Sequence, residues 1–244
     1  MRIATSFVLL SSGAVVYLLL SLLLLPWRPL RIRIGNVYGK AVGPWVARIL
    51  GVRTRVRYRE RLAASSPAIY ITNHTSALDV FIAMWLCPMG GCGIAKKEIA
   101  RIPFFGWAYW LSGHLLIDRG DREGTIAALA ATAELVRRHR LSLWIWPEGT
   151  RSRDGRLLLF RKGFAHLAIA TGLPVVPVVV HGAHERLPDR SFRLMPGALE
   201  VEVLEPIDTC SWKPETVDEH VEQVHGVVRR ALRPAQRPFE PPPR

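Results

Sequence analysis

The chain opens on an uncharged apolar run from Ile3 to Leu25, closed by Pro26 and Trp27. As a helix rising about 1.5 Å per residue it would extend about 34 Å, enough to cross a hydrocarbon core of about 30 Å. A cleaved secretory signal has a shorter apolar region that ends in small residues; this run ends in Leu22–Leu25. Gly13 and the serines within it also suit a helix lying in one leaflet. Val37, Ala41, Val42, Trp45, Val46, Ile49 and Leu50 then recur at helical spacing, with a break expected at Gly43-Pro44. Arg53, Arg55, Arg57, Arg59 and Arg61 alternate with Thr54, Val56 and Tyr58, a period of two that predicts a strand with one basic face. That face reads either as an edge protected by charge or as a surface for anionic headgroups.

Beyond Pro67, short apolar runs alternate with helical patterns. Ala68–Thr72, Leu115–Ile117, Leu141–Trp146 and Val175–Val180 read as strands, and Leu199–Leu204 as a partly exposed one. Leu78–Leu86, Ile99–Leu111, Glu123–Arg138 and Phe164–Ala170 read as helices. Pro214 starts a last helix with Val217, Val221, Val224, Val228 and Leu232 on one face. This alternation predicts an α/β fold, a mixed, largely parallel sheet flanked by helices. The expected organisation is an N-terminal membrane-embedded helix or helical pair over residues 1–51, a main domain over 52–233, and a disordered proline-rich tail over 234–244.

Charge narrows the partners. The chain carries 33 Lys+Arg against 20 Asp+Glu, and only five of the basic residues are lysine. Such a balance calls for an anionic partner, nucleic acid or an anionic membrane surface. No nucleic-acid-binding module is recognisable and the basic residues are scattered, so the apolar N-terminus favours the bilayer. Arg28, Arg31, Arg33 and Lys40 follow the apolar run, while Arg2 alone precedes it. The positive-inside rule therefore predicts a membrane protein with its main domain on the cytoplasmic side. Cys87, Cys92 and Cys210 are an odd, scattered set without the spacing of a zinc site, so they read as small thiols and no metal is expected.

Three polar segments follow apolar runs. Asn73-His74-Thr75-Ser76-Ala77-Leu78-Asp79 lies between a strand and a helix. Across such a turn Asp79 can meet one imidazole nitrogen of His74 and leave the other to take a proton. Pro147-Glu148-Gly149-Thr150-Arg151-Ser152 follows the Leu141–Trp146 run, and its arginine and backbone N–H groups suit a phosphate. Gly113-His114-Leu115-Leu116-Ile117-Asp118-Arg119 ends on a second candidate phosphate ligand. Leu173-Pro174-Val175-Val176-Pro177 is an apolar strand entered through prolines.

Together and in this order, these segments closely resemble the lysophosphatidic acid (1-acyl-sn-glycerol-3-phosphate) acyltransferase family. The resemblance runs from Pro67 to about His181 and includes Ala95-Lys96-Lys97-Glu98, Ile102-Pro103-Phe104-Phe105-Gly106-Trp107 and Phe160-Arg161-Lys162-Gly163. His114-Leu115-Leu116 departs from the pattern, which often has an aromatic before Ile-Asp-Arg. The resemblance implies an acyltransferase that moves an acyl group from acyl-CoA or acyl carrier protein to the sn-2 hydroxyl of 1-acyl-sn-glycerol 3-phosphate. His74 would be the general base and Asp79 its orienting partner. Lys97, Arg119, Glu148, Gly149, Thr150 and Arg151 would bind the acceptor. No cofactor is implied, and the partners are the lipid bilayer, the lysophospholipid and the acyl donor. Another lysophospholipid or lyso-aminolipid acceptor, or a non-catalytic lipid-binding protein, are the competing expectations.

Overall fold

A computed structural model describes residues 2–101, 105–117, 122–191 and 193–239. Two long helices come first, α1 (Arg2–Leu23) and α2 (Arg28–Ile49). They pack together with Tyr17 stacked on Tyr38. The N-terminal segment is therefore a helical pair, while the membrane-crossing helix expected from Ile3–Leu25 is unsupported. Among the described residues, no helix is long and apolar enough to cross a membrane.

Helix α2 differs from expectation at its start and at Pro44. It starts at Arg28 with a proline in its first turn, and it runs through Pro44 without breaking. An interior proline removes one backbone hydrogen bond. Helix α2 packs closely on α4 (Leu78–Leu86). A Cβ at Gly39 would collide with the carbonyl of Met84, and one at Gly43 would meet Trp85, so glycine sets the approach of the two helices. Arg28 and Arg31, expected to flank the apolar run, turn inward. Arg28 donates to the carbonyls of Gly113 (2.8 Å) and His114 (3.1 Å), and Arg31 to that of Leu111 (2.6 Å).

The strands are β1 (Val52–Arg57), β2 (Ile69–Thr72), β3 (Gly91–Lys96), β4 (Leu115–Ile117), β5 (Ser142–Ile145), β6 (Val175–His181) and β7 (Gly197–Val203). They form one sheet in the order β1-β7-β6-β2-β5-β3-β4. All neighbours are parallel except β6 and β7. The predicted mixed, largely parallel sheet is thus the fold, with helices on both faces. Strands β2, β5 and β6 are buried along their whole length, as strands covered on both faces must be. Ile69 and Ile71 face a core completed by α6 (Arg122–His139), α7 (Gly163–Thr171) and α9 (Val217–Ala231). Tyr70 and Trp144 face the opposite core with α2 and α4.

Other corrections have local causes. The alternating arginine strand stops at Arg57, because Tyr58 takes a left-handed backbone (φ 55°). Its last arginine meets acidic β7: Arg57 lies 3.5 Å from Glu200 and 3.6 Å from Glu202, and beyond the two strands Arg61 pairs with Glu205. The apolar stretch 99–111 is not one helix. A 3-10 turn (Lys97–Arg101) precedes α5 (Phe105–Leu111). Strand β3, with its glycine-rich start, carried no strand signal; pairing with β5 and β4 makes it one. The tail is not uniformly loose, because Pro234–Gln236 form a 3-10 turn that buries Gln236.

Candidate active site

Strands β6, β2, β5, β3 and β4 are adjacent and parallel, so their carboxyl ends share one edge of the sheet. That edge is where open α/β sheets place ligands. The polar segments scattered along the sequence converge there. His74 follows β2, Lys97 follows β3, and Trp146-Pro147-Glu148 follow β5. Arg119 lies outside the described residues.

His74 and Asp79 are in contact. Nδ1 of His74 lies 3.0 Å from Oδ2 of Asp79, whose side chain is 1% exposed. The same oxygen accepts the backbone N–H groups of Thr75 (2.7 Å) and Ser76 (2.9 Å). These donors and the N-terminal end of α4 favour a carboxylate. Its charge keeps the proton on Nδ1 and leaves Nε2 as the acceptor. The imidazole, 14% exposed, stacks on Trp146 with ring centroids 4.7 Å apart.

The backbone of His74 is fixed by the loop after β5. Its N–H donates to Oε1 of Glu148 at 2.6 Å, and its carbonyl accepts the N–H of Ser152 at 2.8 Å. The second oxygen of Glu148 accepts the N–H of Leu158 at 2.8 Å. The sequence pointed to Glu148 as an acceptor ligand. In the structure Glu148 is 2% exposed and its carboxyl joins two backbone segments. Burial pushes its pKa up to about 8; the N–H donors of Leu158 and His74 work against that rise, and nearby Asp79 adds to it.

A cavity of 480 Å³ lies beside this pair. Its apolar lining includes Ile94, Ile117, Leu129, Ile145 and Phe164, and its polar lining includes Lys96, Glu98, Thr150 and Arg161. Trp146 belongs both to this wall and to the stack on His74. Gly149, at φ 74°, and exposed Thr150 also line it. Lys97 is exposed at the end of β3. Arg151 points to Asp189, 3.0 Å from its Oδ1. Trp146 and Asp189 were not singled out from the sequence, while Lys96, Glu98 and Arg161 entered only within stretches that resemble the family. An aromatic residue just past a buried strand is the signal that would have found Trp146.

His114, in the stretch that departs from the family pattern, serves the fold. Its Nδ1 accepts the N–H of Gly93 at 3.1 Å, and burial pushes its pKa down to about 4, so the ring is neutral. Cys87 and Cys92 are buried, and burial pushes both thiols up to about 12.

The Acyltransferase family model matches residues 53–181, which span the sheet edge just described. The 1-acyl-sn-glycerol-3-phosphate acyltransferase of Limnanthes douglasii is 40% identical over 238 residues, 98% of this chain and 84% of its own. That of Cocos nucifera is 41% identical over 238 residues, covering 98% of this chain and 77% of its own. The crystal structure of the 1-acyl-sn-glycerophosphate (LPA) acyltransferase PlsC from Thermotoga maritima superimposes with a TM-score of 0.67 at 25% identity, over 95% of this chain and 96% of that one. With the His74–Asp79 pair at the edge of a matching sheet, the chain is an acyltransferase and belongs to the 1-acyl-sn-glycerol-3-phosphate acyltransferase family.

Proposed function

We propose that this enzyme acylates the sn-2 hydroxyl of 1-acyl-sn-glycerol 3-phosphate, giving phosphatidic acid, with His74 as general base. The observation that carries the reading is the His74–Asp79 contact beside a partly apolar cavity. Nε2 of His74 takes the hydroxyl proton as the oxygen attacks the thioester carbonyl of acyl-CoA or acyl carrier protein. The tetrahedral intermediate then expels the thiolate, which receives the proton from His74. Donor and acceptor react directly, so the scheme needs no acyl-enzyme. Asp79 stabilises the imidazolium that forms.

Arg151, Lys97 and Arg119, with the backbone of Gly149 and Thr150, are the groups suited to the acceptor's phosphate. Glu148 serves the reaction through the backbone of His74. The apolar side of the cavity suits an acyl chain. A membrane position fits the exposed apolar side chains of α1 and α2, among them Val15, Val16, Leu19, Leu22, Leu23, Trp27 and Trp45. Trp107 and Trp110 of α5 are also exposed. Exposed apolar side chains of this number suit lipid, and tryptophan suits the interface.

The test is acyl transfer by the purified protein in lipid or detergent, with acyl-CoA or acyl carrier protein thioester as donor and lysophosphatidate or another lysolipid as acceptor. Phosphatidate formed by wild type and lost in His74→Ala supports the reading. Transfer only to a different acceptor, or activity surviving in His74→Ala, overturns it.

A further inference from the structure

Gln236 lies 162 positions after His74 in the sequence, yet two short chains of hydrogen bonds join them. In the first, the Gln236 side-chain amide donates to the carbonyl of Val180 at 3.1 Å. Val180 is also clamped by Asn73, the residue before His74. Asn73 Nδ2 donates to the same carbonyl at 2.9 Å, and the Val180 N–H donates to Asn73 Oδ1 at 2.8 Å. In the second, the backbone carbonyl of Gln236 accepts the N–H of Leu157 at 2.9 Å. The next residue, Leu158, donates to Glu148, whose other oxygen holds the N–H of His74.

The segment around Gln236 is anchored rather than loosely draped. Arg156 donates to the carbonyl of Arg237 at 2.7 Å, and its guanidinium lies over the Phe239 ring at 3.8 Å. Arg237 donates to the carbonyls of Leu232 (2.9 Å) and Arg230 (3.2 Å), tying the segment to the end of α9. Oε1 of Gln236 lies 3.3 Å from Nδ1 of His181, and burial holds His181 below the ordinary histidine pKa. The side chain at 236 must therefore donate at one end and accept at the other. An amide does both; a carboxylate or an aliphatic chain of similar length does not.

We infer that residues 234–239 form a strap that holds the catalytic loop in register, and that Gln236 is a positioning residue acting on His74 through Val180–Asn73 and through Leu157–Glu148. The inference rests on the reading of His74 as the base. A base displaced by a fraction of an ångström loses its alignment with the hydroxyl proton, and small misplacements cost rate more than binding.

The test uses the full chain with Gln236→Leu and Arg156→Ala, the latter loosening the strap from a solvent-facing side. Gln236→Leu is expected to lower kcat about tenfold with KM within about twofold, and Arg156→Ala to lower it by a smaller factor. Amide hydrogen exchange should quicken over 73–79 and 148–158 in both variants, while β2 and β5 stay protected. Wild-type kcat in Gln236→Leu, or a loss of activity that merely follows the unfolded fraction in a thermal melt, overturns the inference. So does unchanged exchange in the catalytic loop in either variant. Exchange reads the strap without acyl transfer. A failure of the His74 reading, seen as activity retained in His74→Ala, is therefore distinguishable from a failure of the strap.

Discussion

The indole of Trp146 lies against the imidazole of His74, with ring centroids 4.7 Å apart and planes within 26°. The same indole lines the cavity, so one side chain touches both the base and the space proposed for the acyl chain. An aromatic pair contributes about 0.5–1.5 kcal/mol beyond its burial. Replacing Trp146 with Leu is expected to lower kcat about two- to tenfold. Trp146→Phe, which keeps a stacking face, should stay close to wild type. Initial-rate measurements on the two variants check this.

Asp79 gathers three donors onto one oxygen, from His74, Thr75 and Ser76. Asparagine has the same shape but lacks the charge that fixes the tautomer. Asp79→Asn should keep the fold and lower kcat on the order of 10²–10⁴-fold, the range for loss of general-base function. The outcome is read from kcat beside a circular dichroism melt, and a kcat near wild type would count against the assigned pair.

Glu148 makes stability depend on pH. The native state holds its proton up to about 8, against an ordinary value of 4.5. The proton is therefore bound more tightly in the folded chain than in the unfolded one. Its contribution to stability is complete below about 4.5 and is lost as pH rises through about 8. Glu148→Gln does not titrate there, so the melting temperature of wild type should fall relative to that of Glu148→Gln across this window. The amide nitrogen of the variant faces a backbone N–H where an oxygen stood. That mismatch should cost about 1–3 kcal/mol at pH 5. Scanning calorimetry from pH 5 to 8.5 measures both effects.

Arg151 is paired with Asp189, but its side chain is 42% exposed. The Asp189 side chain is 7% exposed, and Arg190 also lies 3.7 Å from its Oδ2, so the carboxylate keeps one cation without Arg151. Arg151→Ala should therefore lower the melting temperature only modestly. Its proposed contact with the acceptor's phosphate predicts a KM for lysophosphatidate raised about tenfold or more. Lysine presents a point charge rather than a planar fork, so Arg151→Lys should restore only part of the affinity. Steady-state kinetics with the acceptor varied at saturating donor decide it.

What the sequence made legible was local. His74 and Asp79 lie five residues apart across one strand-to-helix turn, and spacing alone brought them within reach. The buried strands around Tyr70, Trp144 and Val178 announced themselves as apolar runs between breakers. The features that escaped depend on partners far along the chain. Gly91–Lys96 is glycine-rich and becomes a strand only between β5 and β4. Pro44 reads as a breaker until the packing of Gly39 and Gly43 on α4 is known. Arg28 and Arg31 read as charges beside a bilayer until the carbonyls of residues 111–114 meet them. Glu148 was implied as an acceptor ligand by the family resemblance. Its actual partners, His74 and Leu158, sit on backbone that no local pattern points to.

The carboxyl ends of β2 and β5 meet although His74 and Glu148 are 74 positions apart. Chains fold broadly from the amino end as they are made. A nascent chain that has just completed α4 already contains His74 and Asp79, but nothing yet fixes the backbone N–H of the histidine. Only after Leu158 emerges and β5 inserts beside β2 can the imidazole be held in place. The helices α1 and α2 precede all of this. The region proposed to seek the lipid surface is therefore made well before the catalytic loop can be locked.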